Sequence, residues 1–229
     1  MAFVFSPSNM STYMDCPRKF QAQSLTKEIK WKASTQKSRG MLVHNAVEKA
    51  MLKGLDAVTS WPEDMDLDYT KQRIAVVRQL ASQGAAVHIE KEMVVRRDWT
   101  ASTDWWDDNA LIRAKADAII VPAQTEHPVF LLDIKTGKKW DELDFQLRTE
   151  ALLAYYIYRR PVVHYAYWYV DHGDTVSGAI DFRNGFAPVR DVLDLMQEMS
   201  AAIQCNNFYP RKNKFCRWCG LYQTPGCGL

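Results

Sequence analysis

The sequence predicts an α/β fold that shades into α+β. Two observations carry this. Helical patterns of apolar residues bracket a run of strand-like segments, and a single helical stretch separates the third strand from the fourth. The third of those strands, Val129–Lys135, is a short apolar run bounded by turn residues, as a central strand should be.

The chain has 229 residues with 47% hydrophobic and 24% charged residues. That length buries a sizeable core without disulfides. The composition excludes disorder, collagen and coiled coil for the whole chain. No apolar run approaches the roughly 20 residues of a membrane span. Met1–Pro7 lacks a basic stretch followed by a long apolar one, so no secretory signal is expected. A net charge of +2 argues against a strongly basic coat protein but leaves room for a local basic groove.

In chain order, Ser6-Pro7-Ser8 opens a short helix with Ser8 as the expected N-cap. It runs toward Cys16-Pro17-Arg18-Lys19-Phe20. A basic stretch follows, with Lys27, Lys30, Lys32, Lys37 and Arg39 against Glu28. A helix from Gly40 to about Lys53 carries apolar Leu42, Val43, Ala46, Val47, Ala50 and Met51. Residues 59–68 read as an acidic loop and 69–82 as an amphipathic helix. After Gly84 the pattern turns to strands: 87–95, 110–121 and 129–135. A helix is expected over 141–159. Strands 162–170 and 175–182 pair across a Gly173-Asp174 turn. A last helix spans 187–206, and the remaining tail is loop-like.

The chemistry concentrates in few places. Asp133 and Lys135 lie two apart on one strand, so they face the same way. An acid and an amine at the end of an apolar strand are costly unless paired with each other or with a ligand. Asp117 leads into the apolar run of the preceding strand. In a meander it comes within reach of Asp133, and two close carboxylates favour a cation between them. Hard oxygen ligands in small number suit Mg²⁺ or Mn²⁺. His44 shares a helix face with Glu48 at i,i+4; a lone helical histidine is more often structural. Among the five cysteines, Cys216 and Cys219 have metal-ligand spacing and Cys227 follows closely. The odd count points to a reducing compartment.

These residues occur in a familiar order. Ser6-Pro7-Ser8 with Tyr13-Met14-Asp15-Cys16-Pro17-Arg18-Lys19-Phe20 comes first. Gly40–Glu48, containing His44, is next, then Ala116-Asp117, then Asp133-Ile134-Lys135-Thr136-Gly137, and finally Cys216, Cys219 and Cys227. The ordered set resembles a RecB-like nuclease of the PD-(D/E)XK superfamily, in its iron–sulfur branch. That branch includes CRISPR-associated RecB-like exonucleases and the AddB nuclease domain.

The resemblance implies a restriction-endonuclease-like core: a central mixed sheet flanked by helices, in one domain spanning 1–229. Residues 1–30 and 205–229 would form an iron–sulfur subregion joining the two ends. His44, Asp117, Asp133 and the Ile134 carbonyl would hold one or two Mg²⁺ or Mn²⁺ ions. Lys135 would position the attacking water or neutralise phosphate charge. Cys16, Cys216, Cys219 and Cys227 would hold a 4Fe-4S cluster, with Cys205 left as a spare, buried structural thiol on the last helix. An additional acidic residue falls to Glu90 or Glu92, with Glu90 preferred. The family's "Q-x-x-x-Y" motif appears here as Gln146 followed by Glu150 where tyrosine is common.

The implied activity is a metal-dependent deoxyribonuclease, foremost a single-stranded DNA exonuclease of recombination, replication, repair or CRISPR adaptation. The implied setting is the cytoplasm of a bacterial cell, with the gene bacterial or phage-borne. Implied partners are DNA with free ends, a further copy of the chain, or a recombination or CRISPR protein. Candidate backbone contacts are Arg96, Arg97, Lys138, Lys139, Arg148, Arg211, Lys212, Asn213, Lys214 and Arg217. Trp105, Trp106, Trp140 and Trp218 are candidate stacking platforms for bases. The competing reading is a catalytically silent DNA-end-binding scaffold, and zinc competes with iron–sulfur at the cysteines. A glycosidase built on Asp117 and Asp133 explains neither Lys135 nor the cysteines.

Overall fold

The computed structural model describes residues 3–29, 35–138 and 144–228. Lys30, Lys32, Lys139, Trp140 and the expected helix start at Asp141 lie outside them. The chain divides into two compact units. One holds Ser34–Val189; the other holds Phe3–Ala33 with Arg190–Leu229.

The first unit is built on a mixed six-stranded sheet of order β2-β1-β3-β4-β5-β6. Its strands are β1 (Ala86–Arg96), β2 (Ala101–Ser102), β3 (Ala110–Val121), β4 (Val129–Lys135), β5 (Val162–Tyr169) and β6 (Asp174–Asp181). Neighbours are antiparallel except β4 and β5, which run parallel. Parallel neighbours need a long crossover, and helix α5 (Asp144–Tyr158) supplies it. Among the described residues this is the mixed sheet with flanking helices that the restriction-endonuclease-like fold requires.

Side-chain alternation sorts the sheet's two faces. On one, Ala118, Ile120, Leu132, Ile134 and Trp168 form a core with helices α3 (Thr35–Lys53) and α4 (Leu67–Ser82). Val43, Val47, Ala50 and Met51 of α3 and Ile74 and Val77 of α4 complete it, whereas Leu42, among the apolar residues read on this helix, lies off that face and is exposed. Their recurrence at three and four residues is what the amphipathic reading anticipates. On the other face Asp133 meets α5, through Gln146.

Helix α3 begins at Thr35, five residues before the expected start at Gly40. A mid-helix glycine costs about 1 kcal/mol relative to alanine, which is why Gly40 read as a boundary. A Cβ at Gly40 would sit 3.4 Å from Thr136 Oγ1, an ordinary contact, so α3 and the end of β4 are neighbours here. Gly137, just beyond, has φ +79°, a conformation open to glycine. Its N–H donates to Asp171 Oδ2 at 2.6 Å, and Arg39 holds the same carboxylate at 2.8 and 2.9 Å.

In the second unit, helix α1 (Pro7–Asp15) is capped by Ser6, not by Ser8 as expected. Ser6 accepts from Asn9 N, and the Asn9 side chain accepts from Ser6 N at 3.0 Å. Pro7 then occupies the first helical position, where a missing N–H costs nothing. Helix α2 (Pro17–Phe20) follows. Helix α6 (Arg190–Cys205) buries Val192, Leu195, Met196, Met199 and Ala202. Tyr13 of α1 donates to Glu198 of α6 at 3.1 Å. No described helix is long and apolar enough to cross a membrane.

Candidate active site and cysteine cavity

Strand register brings the two aspartates together. The β3–β4 ladder pairs Ala118 with Leu132, so Asp117 and Asp133 stand one step beyond, on neighbouring strands. Asp117 Oδ2 accepts from the backbone N–H of Ile134 at 2.7 Å. Its other oxygen faces His44 Nδ1 of α3 at 3.4 Å. Asp133, 3% exposed, has Lys135 Nζ 2.7 Å from Oδ2.

Gln146 of α5 joins the pair. Its Nε2 donates to Asp133 Oδ1 at 3.0 Å and to Glu150 Oε1 at 2.9 Å. Its Oε1 accepts from Lys135 Nζ at 3.3 Å. Glu150 is 1% exposed and its Oε2 has no hydrogen-bond partner. The motif pattern gave no role to Glu150. The signal available was the acid itself, four residues after Gln146 and at the head of the apolar run Ala151–Ala154.

The electrostatics follow from burial. Burial pushes the Asp133 carboxyl up to about 6; the charge of Lys135 opposes this and that of Asp117 adds to it. Burial also holds Glu150 well above the usual carboxyl range, with Asp133 adding to the effect. At His44, burial works against the proton, but the hydrogen bond and charge of Asp117 outweigh it, with Asp133 and Glu48 helping. The net shift there is upward. Lys135 offsets the charge of Asp133, Asp117 adds to the repulsion there, and a cation bound between the two aspartates would relieve it.

Beside this lies a second grouping. His44, Glu48 and Glu90 each bring a ligand atom within 4.8 Å of the others. Glu90 also pairs with Lys115, whereas Glu92 is exposed. Burial raises the Glu48 carboxyl, though His44 opposes the shift. Nitrogen and oxygen donors of this kind suit a divalent cation.

In the second unit, Cys16, Cys216, Cys219 and Cys227 line one cavity of about 20 Å³. A 3₁₀ turn over Cys216–Trp218 sets the paired cysteines on one bend. Arg211 N donates to Cys16 Sγ at 3.3 Å, and Asn213 N donates to Cys216 Sγ at 3.2 Å. Arg18, Lys19 and Arg211 also line the cavity. Four sulfur donors on one cavity, two of them at CxxC spacing, make a set that fits a soft metal or an iron–sulfur cluster. Cys205, expected to be a buried structural thiol, is instead exposed, because it ends α6 beyond that helix's buried face, and it is not among the lining residues.

The candidate nucleic-acid contacts divide. Arg96 is held by Asp107 at 2.7 Å and by the Ala101 carbonyl at 2.9 Å, so it closes the β1–β2 hairpin. Arg113 stacks on Trp105 and Trp106 at 4.8 and 5.0 Å, and Trp106 is 74% exposed. Arg217 lies 3.8 Å over the exposed Trp218. Lys138 and Lys212 are exposed.

The family model of the PD-(D/E)XK nuclease superfamily matches residues 4–223. The chain belongs to this superfamily. No curated protein matches it. Among solved structures, it is similar to one described as the crystal structure of SSO0001. The match has 14% identity and a TM-score of 0.44, and covers 99% of this chain and 88% of that one. As a PD-(D/E)XK nuclease the chain is a nuclease in general terms. Nucleases of the superfamily act on DNA with divalent metals, and the acidic and histidine groups above provide donors for such ions.

Proposed function

We propose that this PD-(D/E)XK protein is a Mg²⁺- or Mn²⁺-dependent deoxyribonuclease acting on single-stranded DNA ends. The observation that carries the reading is the convergence of Asp117, Asp133 and Lys135 from adjacent strands, with His44 against Asp117. His44, Asp117, Asp133 and the Ile134 carbonyl would hold the metal. A divalent ion there would lower the pKa of a bound water and stabilise phosphate charge.

The protein's own groups supply the rest. The Ile134 N–H fixes the rotamer of Asp117, so one carboxylate oxygen stays toward His44. Lys135 sits against Asp133 and offers a fixed cation to the charge that develops on the scissile phosphate. Burial of Asp133 keeps competing water away and strengthens each of these interactions. The exposed Trp106, stacked through Arg113, offers a face on which an unpaired base can stack.

The four lining cysteines are assigned to a 4Fe-4S cluster within the terminal unit. The N–H donors on Cys16 and Cys216 and the neighbouring Arg18, Lys19 and Arg211 support this, since thiolates gather negative charge that these groups offset. Brown protein containing iron and acid-labile sulfide is the expected result. Colourless protein with stoichiometric zinc would replace the cluster by zinc and leave the nuclease reading intact.

The deciding test uses anaerobically purified protein, end-labelled linear single-stranded DNA and a closed circle, each with Mg²⁺ and Mn²⁺. Shortening of the linear strand with an intact circle, abolished in Lys135→Ala, is the expected pattern. Cutting of the circle would make it an endonuclease. A folded protein that cleaves neither would be a DNA-end-binding scaffold instead. The gene setting, whether recombination, replication, repair or CRISPR adaptation, is proposed from the motif resemblance, as is a RecB-like ancestry.

A further inference from the structure

Glu150 has no part in the reaction as written above, yet it is buried and polar beside the reacting groups. It lies one helical turn after Gln146 on α5. Both hydrogens of the Gln146 amide nitrogen are committed, one to Asp133 Oδ1 at 3.0 Å and one to Glu150 Oε1 at 2.9 Å. The amide oxygen faces Lys135 Nζ at 3.3 Å. Two acceptors on one side and a cationic donor on the other leave the amide a single orientation. Gln146 thereby spans Asp133 and Lys135, which are themselves 2.7 Å apart.

Glu150 Oε2 is buried without a hydrogen-bond partner. A buried polar atom left unmatched is unfavourable. An apolar side chain on this helix face would avoid that cost. The acid is therefore unfavourable for the fold alone, and its one hydrogen bond goes to the residue that bridges the two groups nearest the chemistry.

We propose that Glu150 is a positioning residue for phosphodiester hydrolysis: it holds the Gln146 amide against Asp133 and Lys135, so that ammonium and carboxylate keep their spacing. The inference rests on the nuclease reading. Burial favours the neutral carboxylic acid at Glu150, which still offers Oε1 as an acceptor and adds no second full charge beside Asp133. A glutamine at this position offers the same acceptor with nearly the same shape.

The test compares wild type, Glu150→Leu, Glu150→Gln, Gln146→Leu and the double variant Gln146→Leu/Glu150→Leu. Two measurements are made: single-stranded DNA cleavage and Mn²⁺ affinity by titration calorimetry. Glu150→Leu should lower kcat about 10-fold, the lower end for a group that orients a metal ligand, with KM for DNA unchanged. Glu150→Gln should restore most of the rate. The double variant should be no slower than Gln146→Leu, because Glu150 acts through Gln146. Mn²⁺ binding should weaken in Glu150→Leu and recover in Glu150→Gln.

Wild-type kcat in Glu150→Leu, multiplicative losses in the double variant, or equal damage from Gln and Leu would overturn the inference. A wild-type protein that fails to cleave would overturn the nuclease reading instead. Mn²⁺ affinity then decides the positioning role, with equal affinity in all variants counting against it. Glu150→Ala replaces Glu150→Leu if the larger side chain prevents folding.

Discussion

The carboxylate of Asp117 accepts a 2.7 Å hydrogen bond from the backbone N–H of Ile134 on the neighbouring strand. The bond links the first aspartate to the residue between Asp133 and Lys135. It makes the relative placement of the three groups a property of the β3–β4 pairing. Flexible side-chain reach has little part in it.

Asp117→Asn retains an oxygen for the Ile134 N–H but loses the charge. It should keep its melting temperature within a few degrees and lose at least about 100-fold in cleavage, a scale typical of damage around a metal site. Asp117→Ala should lose activity and also stability, because Ile134 N–H is left unmatched at a cost of about 1–3 kcal/mol. Parallel melts and cleavage assays separate the two effects. Full activity in Asp117→Asn would remove Asp117 from the chemistry.

Lys135→Ala should lower kcat by about 10²–10³, the range for a lost electrostatic stabiliser. Its ammonium opposes the upward shift of Asp133, so the Asp133 carboxyl should titrate higher in the variant. Carbon-13 NMR of labelled aspartate in metal-free protein reads this directly. An unchanged Asp133 titration would show that the 2.7 Å contact carries no charge coupling.

The pH dependence follows from the sign of the Asp133 shift. Its folded value, about 6, lies above the ordinary 3.8, so folding binds protons between those values. Stability of chelator-treated protein should therefore fall as pH rises from about 4 through 6. The total change is on the order of 3 kcal/mol, at 1.36 kcal/mol per unit. Added Mn²⁺ should reverse the trend, because proton and metal compete for one carboxylate and His44 must also release its proton. Cleavage at limiting metal should drop below about pH 6. Denaturant melts at pH 5 and 7.5 with chelator would refute this if the protein were more stable at the higher pH.

Asp171→Ala should open the loop that follows β4. The carboxylate ties Arg39 of α3 to the Gly137 N–H, and its loss should cost about 1–3 kcal/mol. Activity should fall with it, since Thr136 and Gly137 continue directly from Lys135. Unchanged stability on thermal melting would show that the loop is held elsewhere.

On the proposed iron–sulfur assignment, Cys16→Ser should yield colourless protein, whereas Cys205→Ser should keep the brown colour expected of the cluster. The first side chain lines the cavity and the second is exposed. Iron and sulfide analysis of the two variants checks this. Equal iron in both would take Cys16 out of the ligand set.

Much of the fold was legible because its signals are short-range. The spans 110–121 and 129–135 are bounded by turn residues and filled by β-branched and apolar side chains, so both strands are where the pattern places them. Two-residue alternation alone puts Asp133 and Lys135 on one face. The helix boundaries were less legible. Gly40 reads as a helix start, yet it is interior to α3, which begins at Thr35; local propensity, which penalises a mid-helix glycine, does not place that start. Ser8 reads as a cap, but Pro7 is better placed at the first helical position, and this moves the cap to Ser6.

The acid–amine pair and the cysteine spacing were written in the linear chain, since residue type and local period suffice to pick them out; His44 stood out only through the motif order. Register and packing decided the rest: that Asp117 meets Ile134, that Glu90 and not Glu92 stands near His44, and that Arg96 is spent on Asp107. They also decided that Glu150 is buried against Gln146, and that cysteines about 200 residues apart line one cavity. These relations depend on which distant segments lie side by side and how deeply each group is withdrawn from water. That information belongs to the assembled core, because burial and partner identity are set by many contacts at once, whereas the alternation along one strand is set by its own backbone.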